Sequence, residues 1–573
     1  FFSRYAILMF PLLLLGLIPP IVKSISLPLN DINILVVTDV HAWIGSRKRH
    51  EPQWDADYGH VISFYERMKT NQFRDKNLLF LMNGDFVDGT GLSSNPPELL
   101  TPILQKMPWD ALTIGNHELY RNSTIEHITD SGFAEHWGRK YVTSNVIRLE
   151  GSVELGPLGG SRHLIWEGPT ARVLIFGFLY DMIDHSPLVA VEPVSKVVEQ
   201  QWFTSALKQD YQAIVCMVHM HVTDPLVLVI QSKIRSVIGE NIPIQFISGH
   251  SHIRAFESID NRSTSFEAGH YLDTIGFVSF DLNGTNFQHV FIDATVDTLQ
   301  SIVGVNDIMT DNGTQIQDMI QAAQMNLGLL ESVGCAPNHF LLDVDLSHPQ
   351  SLWRFYMKYV IMEFYFHNSP NVVYIQGSGA FRYDLYQGQI LLDDIVTMNP
   401  FNDTIYRVTQ ALKGNYLIQI LNGEDINTQP AVPWMMNVPN YIFSRNDIDP
   451  EKTYEVFTAF FDLTYVVERV EKVTGQSVTP EPQNMATTDL WINFIQEQWR
   501  FENQCQESTV DNHVGLIFIF LFVFSAVIFG LVIFVRSRQA LAGYNRATSI
   551  TSEKLAEVTD DLAFDDNFTR ELI

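Results

Sequence analysis

The chain has 573 residues, 46% of them hydrophobic, which suffices for two globular cores and excludes wholesale disorder. Acidic residues outnumber basic ones 65 to 37, for a formal charge of −28. That balance excludes a sequence-independent nucleic-acid binder, which needs a basic surface, and leaves an anionic substrate to be held by metal ions or a local arginine cluster.

In chain order, "RYAILMFPLLLLGLIPPIV" sets Arg4 ahead of an apolar run broken by Pro11, Pro19 and Pro20, and residues 1–26 read as a signal peptide. Over 27–300, short β-branched runs alternate with amphipathic stretches. Strands are expected at "NILVVTDV", "NLLFLMNGD", "ALTIGNHE", "ARVLIFGFLY", "QAIVCMVHM", "PIQFISGHSH" and "GFVSFDL". Helices are expected at "YGHVISFYERMK", "PELLTPILQKM", "VSKVVEQQWFTSALKQ" and "PLVLVIQSKIRSVIG". The alternation predicts an α/β domain with helices packed on sheet faces. Residues 301–334 read as a linker entering a helix, and a second, smaller α+β unit is expected over 335–505.

Cys216 lies within a strand-like run and reads as a buried thiol, whereas Cys335 and Cys505 flank the second unit and are candidates for a disulfide in an oxidising lumen. Val514–Val535 carries no charge and is apolar on every face, so a membrane span is expected there. Arg536 and Arg538 follow at once, which predicts a cytosolic tail over 536–573 and a body outside the cytosol. In that body, Asn122, Asn261, Asn283, Asn312 and Asn402 head N-x-S/T sequons and are expected to be glycosylated.

The first unit repeats one event. Five apolar strands run out in Asp, Asn or His, often beside glycine: Asp39 and His41, Asp85 and Asp88, Asn116 and His117, His219 and His221, His250 and His252. Ligands of open α/β sheets sit beyond the carboxyl ends of strands. Carboxylate, imidazole and amide oxygen together suit Mn, Fe, Zn or Mg. One Asp-x-His would be weak evidence, since strand-end histidines are usually structural; five coincidences on one edge point to a metal site.

The order "DVH", "GDFVDG", "GNHE", "VHMH", "GHSH" resembles that of the calcineurin-like metallophosphoesterases. The later segment "IQGSGAFRYDLYQGQILLDDIVTMNPFNDTIYRVTQALKGNYL" resembles the C-terminal domain of 5′-nucleotidases, with fungal membrane-anchored or vacuolar relatives the nearest likeness. The resemblance implies a four-layered α/β/β/α domain followed by a smaller α+β domain. It implies one ion held by Asp39, His41, Asp85 and His252, and another by Asp85, Asn116, His219 and His250. His221 is either an indirect donor or an alternative to His219. His117 takes the place of the general acid, and Arg382 and Asn116 face substrate. In 5′-nucleotidases an aspartate three residues after that histidine supports it; here the position is Tyr120. Asp88 matches the supporting aspartate of the Ser/Thr protein phosphatase branch, so a His117–Asp88 dyad is expected, the alternative being a loop cap. Phe460, Phe461 and Tyr465 either stack on a base or are buried strand aromatics. The function implied is metal-dependent hydrolysis of phosphomonoesters, nucleotides or related small phosphates, in a vacuole or at the cell surface. A phosphodiesterase or pyrophosphatase on the same core, and a receptor-like membrane protein that lost turnover, are the alternatives.

Overall fold

The computed structural model describes residues 26–423 and 435–500. Two sheets built from the first half lie face to face. Across the first run Gln288–Asp293, Thr274–Phe280, Ile32–Val37, Asn77–Asn83 and Ala111–Thr113; across the second run Arg254–Asp260, Ser263–Ala268, Ile244–Ser248, Ala213–His219, Arg172–Leu179 and His163–Glu167. Ile32–Val37, Asn77–Asn83 and Ala111–Thr113 are mutually parallel, as are Arg172–Leu179, Ala213–His219 and Ile244–Ser248. The parallel strands are buried on both faces, which is why they read as unbroken apolar runs.

Side-chain alternation assigns each face. Ile34, Val36, Leu79 and Leu81 meet Ile175, Val215 and Met217 between the sheets. Their neighbours Leu35, Val37, Phe80 and Met82 turn to the helical layer that includes Tyr58–Thr70, while Phe176, Phe178, Cys216 and Val218 turn to the layer holding Pro225–Ile238. The order of layers is α/β/β/α.

The structure departs from the sequence reading in several places. "VSKVVEQQWFTSALKQ" forms two short helices, Val194–Val197 and Gln201–Ala206, because Gln200 is extended and its amide is tied to Glu192. "PELLTPILQKM" keeps only Thr101–Leu104 as helix. The helix that the 301–334 passage was expected to enter is Asp311–Asn326, and it is no loose connection: it buries Ile316, Ile320 and Ala323 in the first half's core. It crosses Tyr58–Thr70 at a pair of glycines: a Cβ on Gly59 would lie 2.5 Å from the Gly313 carbonyl, and one on Gly313 would lie 2.0 Å from Ser63 Oγ.

The second half is a five-stranded sheet, ordered Tyr441–Phe443, Val372–Gly377, Thr453–Ala459, Thr404–Lys413 and Glu481–Ala486, with a separate apolar core on each face. A ladder of polar contacts fastens it to the first. Arg49 donates to Asp394 at 2.5 Å and to the Gln389 carbonyl at 2.6 Å. His50 Nε2 lies 2.8 Å from Asp394, its ring stacks on Tyr386, and the Gly91 amide donates to Asp393.

Among the described residues no helix is long and apolar enough to cross a membrane. The expected span 514–535, the tail 536–573, Cys505 and residues 1–25 of the expected signal peptide lie outside the described residues. Cys335 is buried in the strand Ser332–Ala336, which pairs antiparallel with Gly388–Leu391, and Cys216 is a buried free thiol. All five sequon asparagines of the body are exposed.

Candidate metal and catalytic site

The parallel strands of both sheets end at one edge, and the loops beyond them converge. Asp39, His41 and His252 offer ligand atoms within 4.8 Å of one another; so do Asp85, His219 and His250, and so do His41, Asp85 and His117. His219 Nε2 lies 2.9 Å from Asp85 Oδ2 and 3.7 Å from Asp39 Oδ1. His41 Nε2 lies 3.1 Å from His252 Nε2 and 3.6 Å from Asp85 Oδ2. His221 stands apart, its Nδ1 bound to Thr223.

Backbone carbonyls choose the tautomers. His41 Nδ1 donates to Val87 O and His219 Nδ1 donates to Asn83 O, both at 2.8 Å, so each Nε2 presents its lone pair to the cluster. A lone pair 2.9 Å from a carboxylate oxygen requires a cation between them. Burial opposes charge on His219, but Asp85 and Asp39 raise it to about 10, the proton answering the same demand. Burial, reinforced by neighbouring positive charge, lowers His41 and His250 to about 3 and His252 well below the usual range. These three are neutral imidazoles, the form that ligates. Asn116 adds an independent sign: it is buried, and its Oδ1 has no hydrogen-bond partner among the described residues. A buried acceptor in that condition is what an oxygen ligand to a metal ion would show.

The loops are held by residues that the motifs alone do not reveal. Glu118, fully buried, accepts from the amides of Asp85, Phe86, Val87 and Gly115, stitching "GDFVD" to "GNHE". Glu267, equally buried, accepts from Ser251 Oγ and the Ile253 amide and fixes "GHSH". Buried carboxylates carry no periodic signature; in Glu118 the sign was its place inside the motif, and in Glu267 there was none. Gly115 is required by contact, since a Cβ there would lie 2.1 Å from Asp85 Oδ1. Asp39, His41, Asp85, Asp88, His250 and His252 all have positive φ, between 48 and 74°, a region costly to side chains other than glycine.

At His117, Nδ1 lies 3.0 Å from Asp88 Oδ2, and the backbone N–H donates to Asp85 Oδ1 at 2.9 Å. Burial opposes ionisation of Asp88, but the hydrogen bond from His117 and the charge of Arg121 hold its carboxyl below the usual range. Tyr120 does not touch Nδ1; its hydroxyl accepts from Asn116 Nδ2 at 3.0 Å. Arg382 comes from the second half, its guanidinium over Phe401 at 5.1 Å and its charge felt at His41, His250 and His252. Phe401 is nearly parallel to His117, 6.0 Å away, and to Phe461, 6.2 Å away. Phe460 and Phe461 are not buried in a strand: they occupy a turn after Thr453–Ala459 and are 58% and 56% exposed. Asp462 anchors that turn to the Gly377 amide. Tyr465 lies elsewhere, stacked on Tyr441 at 4.0 Å.

Residues 32–254, which span these loops, match the family model described as calcineurin-like phosphoesterase. Residues 32–254 form a calcineurin-like phosphoesterase domain. A protein of Schizosaccharomyces pombe, itself uncharacterised, is 28% identical over 82% of this chain and 84% of its own length. A protein of Arthroderma benhamiae described as secreted is 31% identical, over 45% of this chain and 40% of its own. Among solved structures, the 5′-nucleotidase from Candida albicans superposes with a TM-score of 0.76 at 24% identity, covering 83% of this chain and 99% of that one. The phosphoesterase thus shares the 5′-nucleotidase fold through both halves and is a phosphoric ester hydrolase with a His/Asp cluster suited to divalent metal.

Proposed function

We propose that this phosphoesterase is a two-metal phosphomonoesterase of nucleotides, with its body in the secretory lumen or outside the cell. The observation that carries the reading is one edge on which two ligand groups, a His–Asp pair, an arginine and an exposed aromatic shelf meet. One ion is assigned to Asp39, His41, Asp85 and His252, and the other to Asp85, Asn116, His219 and His250, Asp85 being shared. Divalent metal held there would supply an acidified water and neutralisation of the phosphoryl oxygens.

The chain's own groups supply the rest. Asp88 holds His117 with a proton on Nδ1 and stabilises its charged form, so that the opposite nitrogen delivers a proton to the leaving oxygen. Arg382 reaches the cluster from the second half and supplies the local positive charge that an acidic protein needs for an anionic substrate. Phe401 and Phe461 give a base something to stack on beside His117, worth about 1–3 kcal/mol per base in other systems. The exposed sequons and the secreted relative support the lumenal placement, and the apolar run 514–535 supports attachment to a membrane.

The test is phosphate release by the purified protein with manganese or with EDTA, from AMP, from glycerol phosphate and from a phosphodiester. Chelator-sensitive release, with AMP at least tenfold above glycerol phosphate in kcat/KM, is expected. Equal rates on both monoesters would remove the nucleotide from the reading. Release from the diester alone would move the reaction to a phosphodiesterase.

A further inference from the structure

Asn116 poses a problem of orientation. An amide side chain has two nearly isosteric ends, and only the oxygen can ligate a cation; the NH2 end would repel it. An asparagine that serves as a ligand therefore needs something to hold its nitrogen away from the metal. In this chain Asn116 Nδ2 makes a 3.0 Å hydrogen bond to Tyr120 Oη, whereas Oδ1, buried, has no hydrogen-bond partner among the described residues. We propose that Tyr120 is a positioning residue whose hydroxyl captures the Asn116 amide nitrogen and thereby turns the carbonyl oxygen towards the metal site. The inference rests on the two-ion reading above.

Four further observations suit the role. Tyr120 stands four residues after Asn116, across the turn His117–Leu119, and the two side chains meet over that turn. Its ring is fixed edge-on to His117 at 5.4 Å and to Phe461 at 6.0 Å, which leaves the hydroxyl little freedom to wander. The position is free for this use because His117 Nδ1 is already served by Asp88. Tyr120 also neighbours the hydroxyl of Tyr180, whose ring packs on His250 at 4.7 Å. Asn116 and His250 are both assigned to the same ion, so the tyrosine pair backs one ion and not the other.

That asymmetry makes the inference testable without turnover. Manganese binding to the purified protein is titrated by calorimetry for wild type, Tyr120→Phe, Asn116→Asp and the double variant. Tyr120→Phe keeps the ring and removes one oxygen. It is expected to weaken one of the two manganese ions roughly 10–100-fold, the range for lost partners of metal ligands, and to leave the other unchanged. In the Asn116→Asp background the same change is expected to have no further effect, because a carboxylate has two equivalent oxygens and no wrong end. A Tyr120→Phe protein that binds both ions as wild type overturns the inference. So does a loss that persists undiminished beside Asn116→Asp, which would make the tyrosine a packing residue. Wild-type protein that takes up no manganese overturns the two-ion reading, and this inference with it.

Discussion

In the proposed reaction His117 protonates the leaving oxygen, and the carboxylate behind it arrives from a different strand end. Asp88 and His117 are 29 residues apart in sequence and 3.0 Å apart in space. The Asp88→Asn protein is expected to lose about 10²-fold or more in kcat with a small change in KM, because the amide cannot stabilise a charged imidazole. Steady-state kinetics on the preferred monoester checks this, and unchanged turnover would reduce Asp88 to a loop cap. At this scale the residues that gather into the His/Asp cluster were legible, since chemistry demands particular types at strand ends. Those that position them were less so. Glu118 and Glu267 are buried acids with backbone partners, and a lone glutamate in a sequence reads as surface.

Elements tell a similar story about what patterning can carry. The double-faced strands announced themselves as apolar runs, but the fastening between the halves did not, because it is polar and local. Arg49, His50 and Asp394 form it, and burial of Asp394 is outweighed by the His50 hydrogen bond and the Arg49 charge, which hold its carboxyl below the usual 3.8. A carboxyl depressed in the folded state stabilises the fold above its unfolded value, and the gain is lost as pH falls through the folded value. Asp394→Asn is therefore expected to lower the urea midpoint at pH 6, and the gap from wild type is expected to close as pH drops below about 3.8. A gap that is constant with pH would assign Asp394 a purely steric part. The helix Asp311–Asn326 was expected, but its packing was not: Gly313 and the polar residues around it suggest a linker, yet the small residue is what lets the helix approach Tyr58–Thr70.

For the molecule as a whole, the charge of −28 opposes the anionic substrate proposed for the site. Long-range repulsion is screened by salt over about 10 Å at 0.1 M, whereas the contacts at Arg382 are too short to be screened as fully. kcat/KM for an anionic monoester is thus expected to hold or rise as NaCl goes from about 10 to about 150 mM, and a fall would mean that attraction by exposed cations dominates. The α/β layering of the first half was readable from its alternating runs, and the meeting of Arg382 with a histidine cluster more than a hundred residues upstream was not, since no local pattern encodes it. The left-handed backbone at Asp39, His41, Asp85, Asp88, His250 and His252 carries a consequence for descent. Each such residue costs the fold on the order of 1 kcal/mol that glycine would not. A lineage that had abandoned hydrolysis would find six easy gains in stability at these positions and drift towards them. This chain has taken none of the six, which is what continued use of the site looks like when written in backbone angles.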